Sequence, residues 1–183
     1  MTVAPLAPSF AADAFRQIMA ALAAGVSVVT AVDAAGEPRG LTTTAVTGVS
    51  ADPPLLLVCV AHDSRTLPAI RHSRRFAVNL MHAAAGETAL RFASKAEDKF
   101  EGRAWRLGRH GSPLLHEDAL AWAECRVEQE IEAGDHVVVI GRVEHGLALE
   151  DARAPLTYFR RRFGTWTFTG SGTAGASRGG NPE

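Results

Sequence analysis

The sequence lacks most of the motifs that mark conventional catalytic chemistry. It has only two cysteines, Cys59 and Cys125, which are far apart in the chain, and seven scattered histidines. No C-x-x-C or H-E-x-x-H spacing occurs, so we expect neither a structural nor a catalytic zinc site. A P-loop is also missing, and no G-x-S-x-G elbow lies between a predicted strand and a predicted helix, which leaves little acid–base or nucleophilic machinery.

Charge and hydropathy give no sign of a nucleic-acid or membrane partner. The formal net charge is −1, which creates no strong overall field for a polyanion or an anionic surface. No apolar run approaches the length that spans a bilayer, and the first ten residues lack a basic signal region. We therefore expect neither partner. The two lone cysteines are typical of buried free thiols and suit a cytoplasmic protein.

Strand patterns outnumber helix patterns along the chain. Its 183 residues, of which 46% are hydrophobic, are enough for one domain with a sizeable core. Because no repeating βαβ pattern occurs, we expect a mainly antiparallel β-barrel with short helices. The predicted strands are 26–32, 54–61, 75–81, 119–132 and 137–143, and the predicted helices are 9–24, 67–72 and 84–93. Gly134 and Asp135 predict a hairpin turn between the last two strands.

Composition sets the expected domain boundaries. We predict a flexible leader over residues 1–8, a folded domain over 9–168, and a disordered tail rich in Gly, Ser and Ala over 169–183. The tail contains a literal G-x-G-x-x-G match between Gly170 and Gly175. That fingerprint functions only between a strand and a helix, and no helical pattern follows it, so we interpret the match as spurious.

The first predicted helix has one apolar face. Ser9 can cap its start and Gly25 is a suitable stop. We interpret the apolar stripe as core, covering one end of the barrel or a subunit contact. The stripe consists of Phe15, Ile18, Met19 and Leu22.

Residues 119–132 alternate between apolar and polar side chains. This period-two pattern predicts a long antiparallel strand with one buried and one solvated face. We interpret the acidic residues of the polar face as solvated, and as neither an acid pair nor a metal site. That face carries Trp122, Glu124, Arg126, Glu128, Glu130 and Glu132.

A run of hydroxyl side chains follows the first predicted strand. Threonine is comfortable in strands, so the run could be a half-exposed strand with a polar face. It could equally line a pocket for a polar, anionic ligand, because short hydroxyls bind without adding a charge that must be desolvated. Residue types alone leave both interpretations open. The run comprises Thr42, Thr43, Thr44, Thr47 and Ser50.

The order of several motifs resembles a known family. G-V-S-V-V-T-A is followed by G-L-T-T-T-A-V-T-G-V-S-A-D-P-P, then by S-R-T-L, R-R-F-A-V-N-L, R-F-A-S-K, F-E-G and G-D-H-V-V-V-I-G-R-V. This order is similar to that of the short-chain flavin reductases, FMN-binding split-barrel proteins that supply reduced flavin to two-component monooxygenases. The resemblance covers about residues 15–163. Each motif is weak alone, whereas their order together is specific.

The resemblance implies a fold, a reaction and partners. It implies a six-stranded antiparallel Greek-key split barrel that forms a homodimer with flavin near the subunit interface. The implied reaction is hydride transfer from NADH or NADPH to FMN, with FAD as a second candidate, for a partner monooxygenase. The flavin carries the chemistry and the protein holds the two rings together, which fits the lack of conventional catalytic groups.

The resemblance also implies roles for particular residues. His136, in the G-D-H motif, is the catalytic candidate and lies with Tyr158 beside the nicotinamide, orienting the rings more than moving protons. A helix N-terminus near Ser64 favours a phosphate, and the resemblance places Lys95 or Lys99 near it. Arg65 and Arg71 are available cations, and neither is diagnostic. No metal is expected. The implied cofactor-binding residues are Thr42, Thr43, Thr44, Ala45, Ser50, Cys59, Val60, Ser64, Thr66, Phe92, Lys95 and Phe100.

Two alternatives remain at this point. The first is another split-barrel flavoenzyme, such as an oxidase of a phosphorylated pyridoxine or an F420-dependent reductase. The second is a flavin-binding protein without turnover. The G-D-H motif and Tyr158 favour the reductase over both.

Overall fold

The structure is a computed structural model that describes residues 8–149 and 153–167. Most of the predicted leader, the predicted tail and the spurious glycine fingerprint lie outside the described residues. The side chains of residues 8–11 also lie outside them, so the predicted cap at Ser9 has no structural counterpart to compare.

Strands dominate the described chain, as predicted. Within these residues, no helix is long and apolar enough to cross a membrane. The helices are α1 Pro8–Ala20, α2 Thr66–Ser73 and α3 Gly86–Ala93, with a 3₁₀ turn at Ala83–Ala85 before α3. The strands are β1 Ala24–Gly25, β2 Ser27–Val32, β3 Pro38–Thr43, β4 Val46–Ala51, β5 Pro54–Ala61, β6 Arg75–Met81, β7 Arg106–Leu107, β8 Pro113–Leu114, β9 Ala119–Ala133, β10 His136–Ala148, β11 Leu156–Phe159 and β12 Arg162–Thr165.

Seven strands form one antiparallel sheet in the order β3-β2-β6-β9-β10-β5-β4. Its two edge strands, β3 and β4, are joined by only Thr44 and Ala45. The edges must therefore meet at this link, which curls the sheet into a barrel, and the Ala45 carbonyl accepts the Cys59 N–H at 3.1 Å. Counting β3 and β4 as one bent strand gives six strands, and the predicted mainly β barrel is confirmed.

The connection from β5 to β6 gives the barrel its Greek-key character. β5 lies between β10 and β4, whereas β6 lies between β2 and β9, so the chain crosses one end of the barrel between them. Helix α2 makes this crossing and buries Leu67 and Ile70 against the barrel interior. A second apolar cluster lies outside the barrel, where α3 packs Ala89 and Phe92 against Phe100.

The apolar stripe of α1 is not part of the core of this chain, so cover of a barrel end is wrong and a subunit contact stays a prediction. Phe15 is 63% exposed and Ile18 is 69% exposed. The helix ends at Ala20, whose carbonyl accepts the Arg160 N–H at 2.8 Å, and Gly25 lies in a strand and is not the helix stop. Because this contact holds α1 at its C-terminal end, the stripe faces away from the barrel.

The predicted solvated face of residues 119–132 is wrong at its N-terminal half. Trp122 is buried and Glu124 is 0% exposed, whereas Arg126, Glu128 and Glu132 are exposed as predicted. The hairpin formed by β7 and β8 covers the first half of the strand. The alternation of residue types within one strand carries no information about another segment that folds over it. The pattern therefore could not predict that a hairpin buries Trp122 and Glu124.

Candidate active site

One cleft of about 490 Å³ gathers most of the predicted site residues. Its walls are β3, the end of β5, the start of α2, the segment after α3, and the first residue of β10. Hydroxyl, basic, acidic and aromatic side chains all line it. The lining residues are Pro38, Arg39, Gly40, Leu41, Thr42, Thr43, Cys59, Ala61, Asp63, Ser64, Arg65, Thr66, Phe92, Ala93, Ser94, Lys95, Glu97, Lys99, Phe100 and His136.

The threonine hydroxyls of β3 already form hydrogen bonds within the protein. Thr42 Oγ1 donates to the Ala89 carbonyl at 2.6 Å, which ties β3 to α3. Thr43 Oγ1 accepts the Ala45 N–H at 3.0 Å, which shapes the link to β4. Thr42 therefore keeps only acceptor capacity for a ligand, whereas the Thr43 hydroxyl can still donate.

An aromatic stack packs against β3 in the wall of the cleft. The rings of Phe92 and Phe100 meet edge to face with centroids 4.8 Å apart, and Phe100 meets Trp105 in the same way at 5.3 Å. A Cβ on Gly40 would lie 2.6 Å from the Phe92 ring. Only glycine at this position lets the ring lie against the strand, so Gly40 and the stack together set the width of the cleft.

Two cations lie at the α2 end of the cleft. Arg65 Nη2 donates to the Lys95 carbonyl at 3.0 Å and also to the Ala96 carbonyl. Lys99 Nζ donates to the carbonyls of Phe92 at 2.8 Å and Gly40 at 3.2 Å. Burial, and to a lesser degree the nearby charge of Arg65, lower the pKa of Lys99.

Neither cation forms an ion pair with a carboxylate among residues 8–149 and 153–167. Helix α2 begins beside them, and the Thr66 N–H in its first turn donates to Ser64 Oγ at 3.2 Å. The start of a helix carries a partial positive charge that favours an anion, and the two cations beside it add to that attraction. This end of the cleft is therefore suited to a phosphate.

His136 lies at the edge of the cleft, at the start of β10. It pairs with Ala61 of β5, and the turn of Gly134 and Asp135 before it is the predicted two-residue hairpin. Its Nδ1 lies 2.7 Å from Asp135 Oδ1. The hydrogen bond from His136, followed by the charge of that ring, lowers the pKa of Asp135.

The structure brings together a subset of the residues predicted for the site. Thr44 and Ala45 lie in the link between β3 and β4, outside the cleft lining. The Val60 side chain is fully buried in the barrel core, which leaves its backbone alone for any ligand contact. The residues that line the cleft are Thr42, Thr43, Cys59, Ser64, Thr66, Phe92, Lys95, Phe100 and His136.

Two further predicted residues lie away from the cleft. Ser50 is on β4, opposite Leu55 of β5. Tyr158 is on β11, where its ring packs against Phe163 with centroids 5.6 Å apart. Their predicted contacts with flavin and nicotinamide stay predictions.

Sequence reasoning missed several lining residues. Gly40 precedes the threonines in G-L-T-T-T, and a glycine inside a strand pattern is the one available signal of a close approach. Arg65 and Lys99 were candidates beside Arg71 and Lys95, but all are common residue types in mixed-charge surroundings, and no spacing set these two apart. In the described part of the chain, no group of three or more His, Cys, Asp or Glu side chains could hold a metal ion.

Comparison with known proteins shows the family to which this chain is similar. The model of the flavin reductase like domain matches residues 19–167. The flavin reductase (NADH) of Kitasatospora aureofaciens is 44% identical over 155 residues, which cover 84% of this chain and 81% of that one.

Two solved structures resemble this chain over most of its length. Nitrilotriacetate monooxygenase component B from Mycobacterium thermoresistibile is 33% identical with a TM-score of 0.83, covering 88% of this chain and 89% of that one. The NADH:FAD oxidoreductase of Streptomyces globisporus, in complex with NAD and FAD fragments, is 32% identical with a TM-score of 0.80, covering 90% and 98%. The chain belongs to the flavin reductase like family, and it is an oxidoreductase that reduces flavin with a nicotinamide dinucleotide.

Proposed function

We propose that this chain reduces FMN, with FAD as the second candidate, by hydride transfer from NADH or NADPH, and that it supplies the reduced flavin to a partner monooxygenase. The observation that carries the choice of a phosphorylated flavin is the pair of cations, Arg65 and Lys99, which lie beside the start of α2 without a carboxylate partner in the described chain.

The residues of the cleft fit a flavin mononucleotide. The volume of about 490 Å³ is within the range of pockets that enclose cofactor-sized ligands. Ser64, Arg65 and Thr66 would hold the phosphate, since charge-assisted hydrogen bonds to phosphate are stronger than the carbonyl contacts that Arg65 makes now. Thr43 and the wall near Cys59 would border the ring and ribityl chain.

When bound, flavin supplies the hydride acceptor, so the protein has to hold two rings at reacting distance and orientation. Phe92, held by Phe100 and Gly40, would fix one side of the cleft. His136, at the opposite edge, would place the nicotinamide. No side chain in this scheme has to form a covalent bond, which agrees with the motifs that the sequence lacks.

The relative named as a monooxygenase component supports the proposed partner.

For a homodimer, the support is the apolar side of α1 together with an apolar groove of about 390 Å³ between β4 and β9. Sedimentation of the purified protein measures the oligomeric state directly, and a monomer would contradict that part. The free thiols of Cys59 and Cys125 support a cytoplasmic location.

Oxidation of NADH and of NADPH, followed at the nicotinamide absorbance band, tests the reaction. We expect oxidation to depend on added flavin and FMN to have the lowest KM among FMN, FAD and riboflavin. Tight flavin binding without nicotinamide oxidation would instead indicate a flavin carrier. An equal KM for riboflavin and FMN would contradict the proposed phosphate contacts.

A further inference from the structure

The turn before β10 places an exposed acid next to the imidazole of the cleft. The Asp135 side chain is 95% exposed and that of His136 is 44% exposed. His136 Nδ1 and Asp135 Oδ1 are 2.7 Å apart. An ionised carboxylate can only accept a hydrogen bond, so in neutral His136 the proton must be on Nδ1. The other ring nitrogen, Nε2, is then a bare acceptor.

The backbone fixes the position of this acid. The Asp135 carbonyl accepts the His62 N–H at 3.1 Å, which ties the turn to the connection between β5 and α2. Gly134 has φ of 64°, a conformation that suits glycine. An exposed aspartate is ionised at neutral pH. The hydrogen bond from the His136 ring lowers the pKa of Asp135 further.

The exposure of Asp135 indicates what the contact does. An exposed ion pair contributes little to stability, so the fold does not depend on this carboxylate. The contact does select one tautomer and one orientation of the ring. Among the described residues, His136 Nε2 has no hydrogen-bond partner, and the ring lines the cleft.

We propose that Asp135 is a positioning residue that holds His136 in the Nδ1–H tautomer, so that Nε2 offers the cleft an acceptor for an N–H donor of the substrate. The choice of donor rests on the proposed function. The carboxamide is the only N–H donor on a dihydronicotinamide ring, so it is the group that His136 recognises. Asp135 thus contributes to specificity through His136 without touching the substrate.

The tautomer is measured first, without flavin or nicotinamide. Histidine ring nitrogens of the ¹⁵N-labelled protein are assigned by NMR at a pH where His136 is neutral. We expect Nδ1–H in the wild type and a shift toward Nε2–H in Asp135→Ala. Glu132→Gln is the matched control, because Glu132 is an acid on the same hairpin whose 3.0 Å contact is with His62. An unchanged His136 tautomer in Asp135→Ala would overturn the proposal.

A substrate analogue then tests the recognised group. The ratio of kcat/KM for NADH to kcat/KM for the reduced 3-acetylpyridine analogue reports the carboxamide N–H, because the analogue has a methyl ketone there. We expect the ratio to fall about threefold to tenfold in Asp135→Ala and in His136→Ala, and to stay constant in Glu132→Gln. An unchanged ratio in Asp135→Ala would contradict the inference. Failure of the wild type to oxidise either NADH or NADPH would contradict the proposed function instead, with the tautomer result still valid.

Discussion

Two sites with ionisable side chains, one buried and one in the cleft, differ in how the surrounding chain satisfies them. Glu124 is a fully buried carboxylate that accepts the N–H groups of His110 at 2.9 Å and Ser112 at 3.3 Å, with His145 Nδ1 at 3.4 Å from its other oxygen. These contacts form what we term the Glu124 anchor. They hold the hairpin of β7 and β8 against β9, and they leave the carboxylate matched by its own chain.

The cleft has the reverse arrangement. Arg65 and Lys99 donate only to carbonyls of the cleft walls, and no carboxylate among the described residues neutralises them. A buried charge that the chain satisfies completely is part of the fold. A cation that lines an open cleft and donates only to carbonyls has capacity left for a ligand. The difference separates a structural site from a binding site where both contain ionisable side chains.

Removing the Glu124 carboxylate should have the largest effect on stability. Glu124→Ala leaves the buried Ser112 N–H and the partly buried His110 N–H without an acceptor, so we expect the free energy of unfolding to fall by about 3 kcal/mol in urea denaturation. Glu128→Ala, on the same strand but at the surface, should change it much less. Equal losses in the two variants would show that the anchor is not a special contact.

Blocking the contact between the Phe92 ring and Gly40 of β3 should affect both the stability of the fold and flavin binding in the cleft. An alanine Cβ at position 40 would meet the Phe92 ring at 2.6 Å and 2.8 Å, so the ring must move. We expect Gly40→Ala to cost roughly 1–3 kcal/mol and to weaken flavin binding in a fluorescence titration. Gly48→Ala, where no atom lies within 4 Å, is the control. Unchanged flavin affinity in Gly40→Ala would remove Phe92 from the cleft wall.

Removing a cleft cation should change binding and leave stability nearly constant. We expect Arg65→Ala to lower the affinity for FMN about tenfold, because a charge-assisted hydrogen bond to phosphate is lost, while the affinity for riboflavin stays the same. Arg71→Ala, on α2 but paired with Glu130 and Glu132, should alter neither affinity. Parallel losses for FMN and riboflavin would contradict a phosphate contact.

Alkylation of the two cysteines compares the cleft with the Glu124 anchor without any substitution in the protein. Burial raises the pKa of Cys59, on the cleft wall, and burial with the charges of Glu144 and Glu124 raises the pKa of Cys125 to about 12. The thiolate is the reactive form, so alkylation should be slow at neutral pH and accelerate as pH rises, first at Cys59. Mass spectrometry of the labelled protein measures the order, and flavin should protect only Cys59. Faster labelling of Cys125 would contradict the structure.

Local sequence patterns predicted much of the barrel. The apolar run 54–61 and the alternation of 119–132 gave strands close to their observed bounds, and the Gly134–Asp135 turn was identified from residue type. The burial of Glu124 could not be predicted in this way, because it depends on a covering hairpin with little pattern of its own. The exposure of Ile18 has a similar cause, since the location of α1 is set by a contact with the distant Arg160.

The residues of the site could be predicted from the sequence mainly because the motifs occur in the order of a known family. The resemblance drew attention to Thr42, Ser64 and His136, which are far apart in sequence and lie on one cleft. It did not separate Arg65 and Lys99 from other surface cations. Their significance comes from the lack of a carboxylate partner in the described chain, which is a property of the folded surroundings and not of residue type.

The two-residue link of Thr44 and Ala45 has a consequence for how this protein can vary. One inserted residue there would shift β4 by one position along β5, and since alternate strand residues point to opposite sides, inward and outward side chains would exchange. We therefore expect insertions at this corner to prevent folding. Length changes should be accepted instead at the exposed bend of Glu101 and Gly102, which no sheet register constrains.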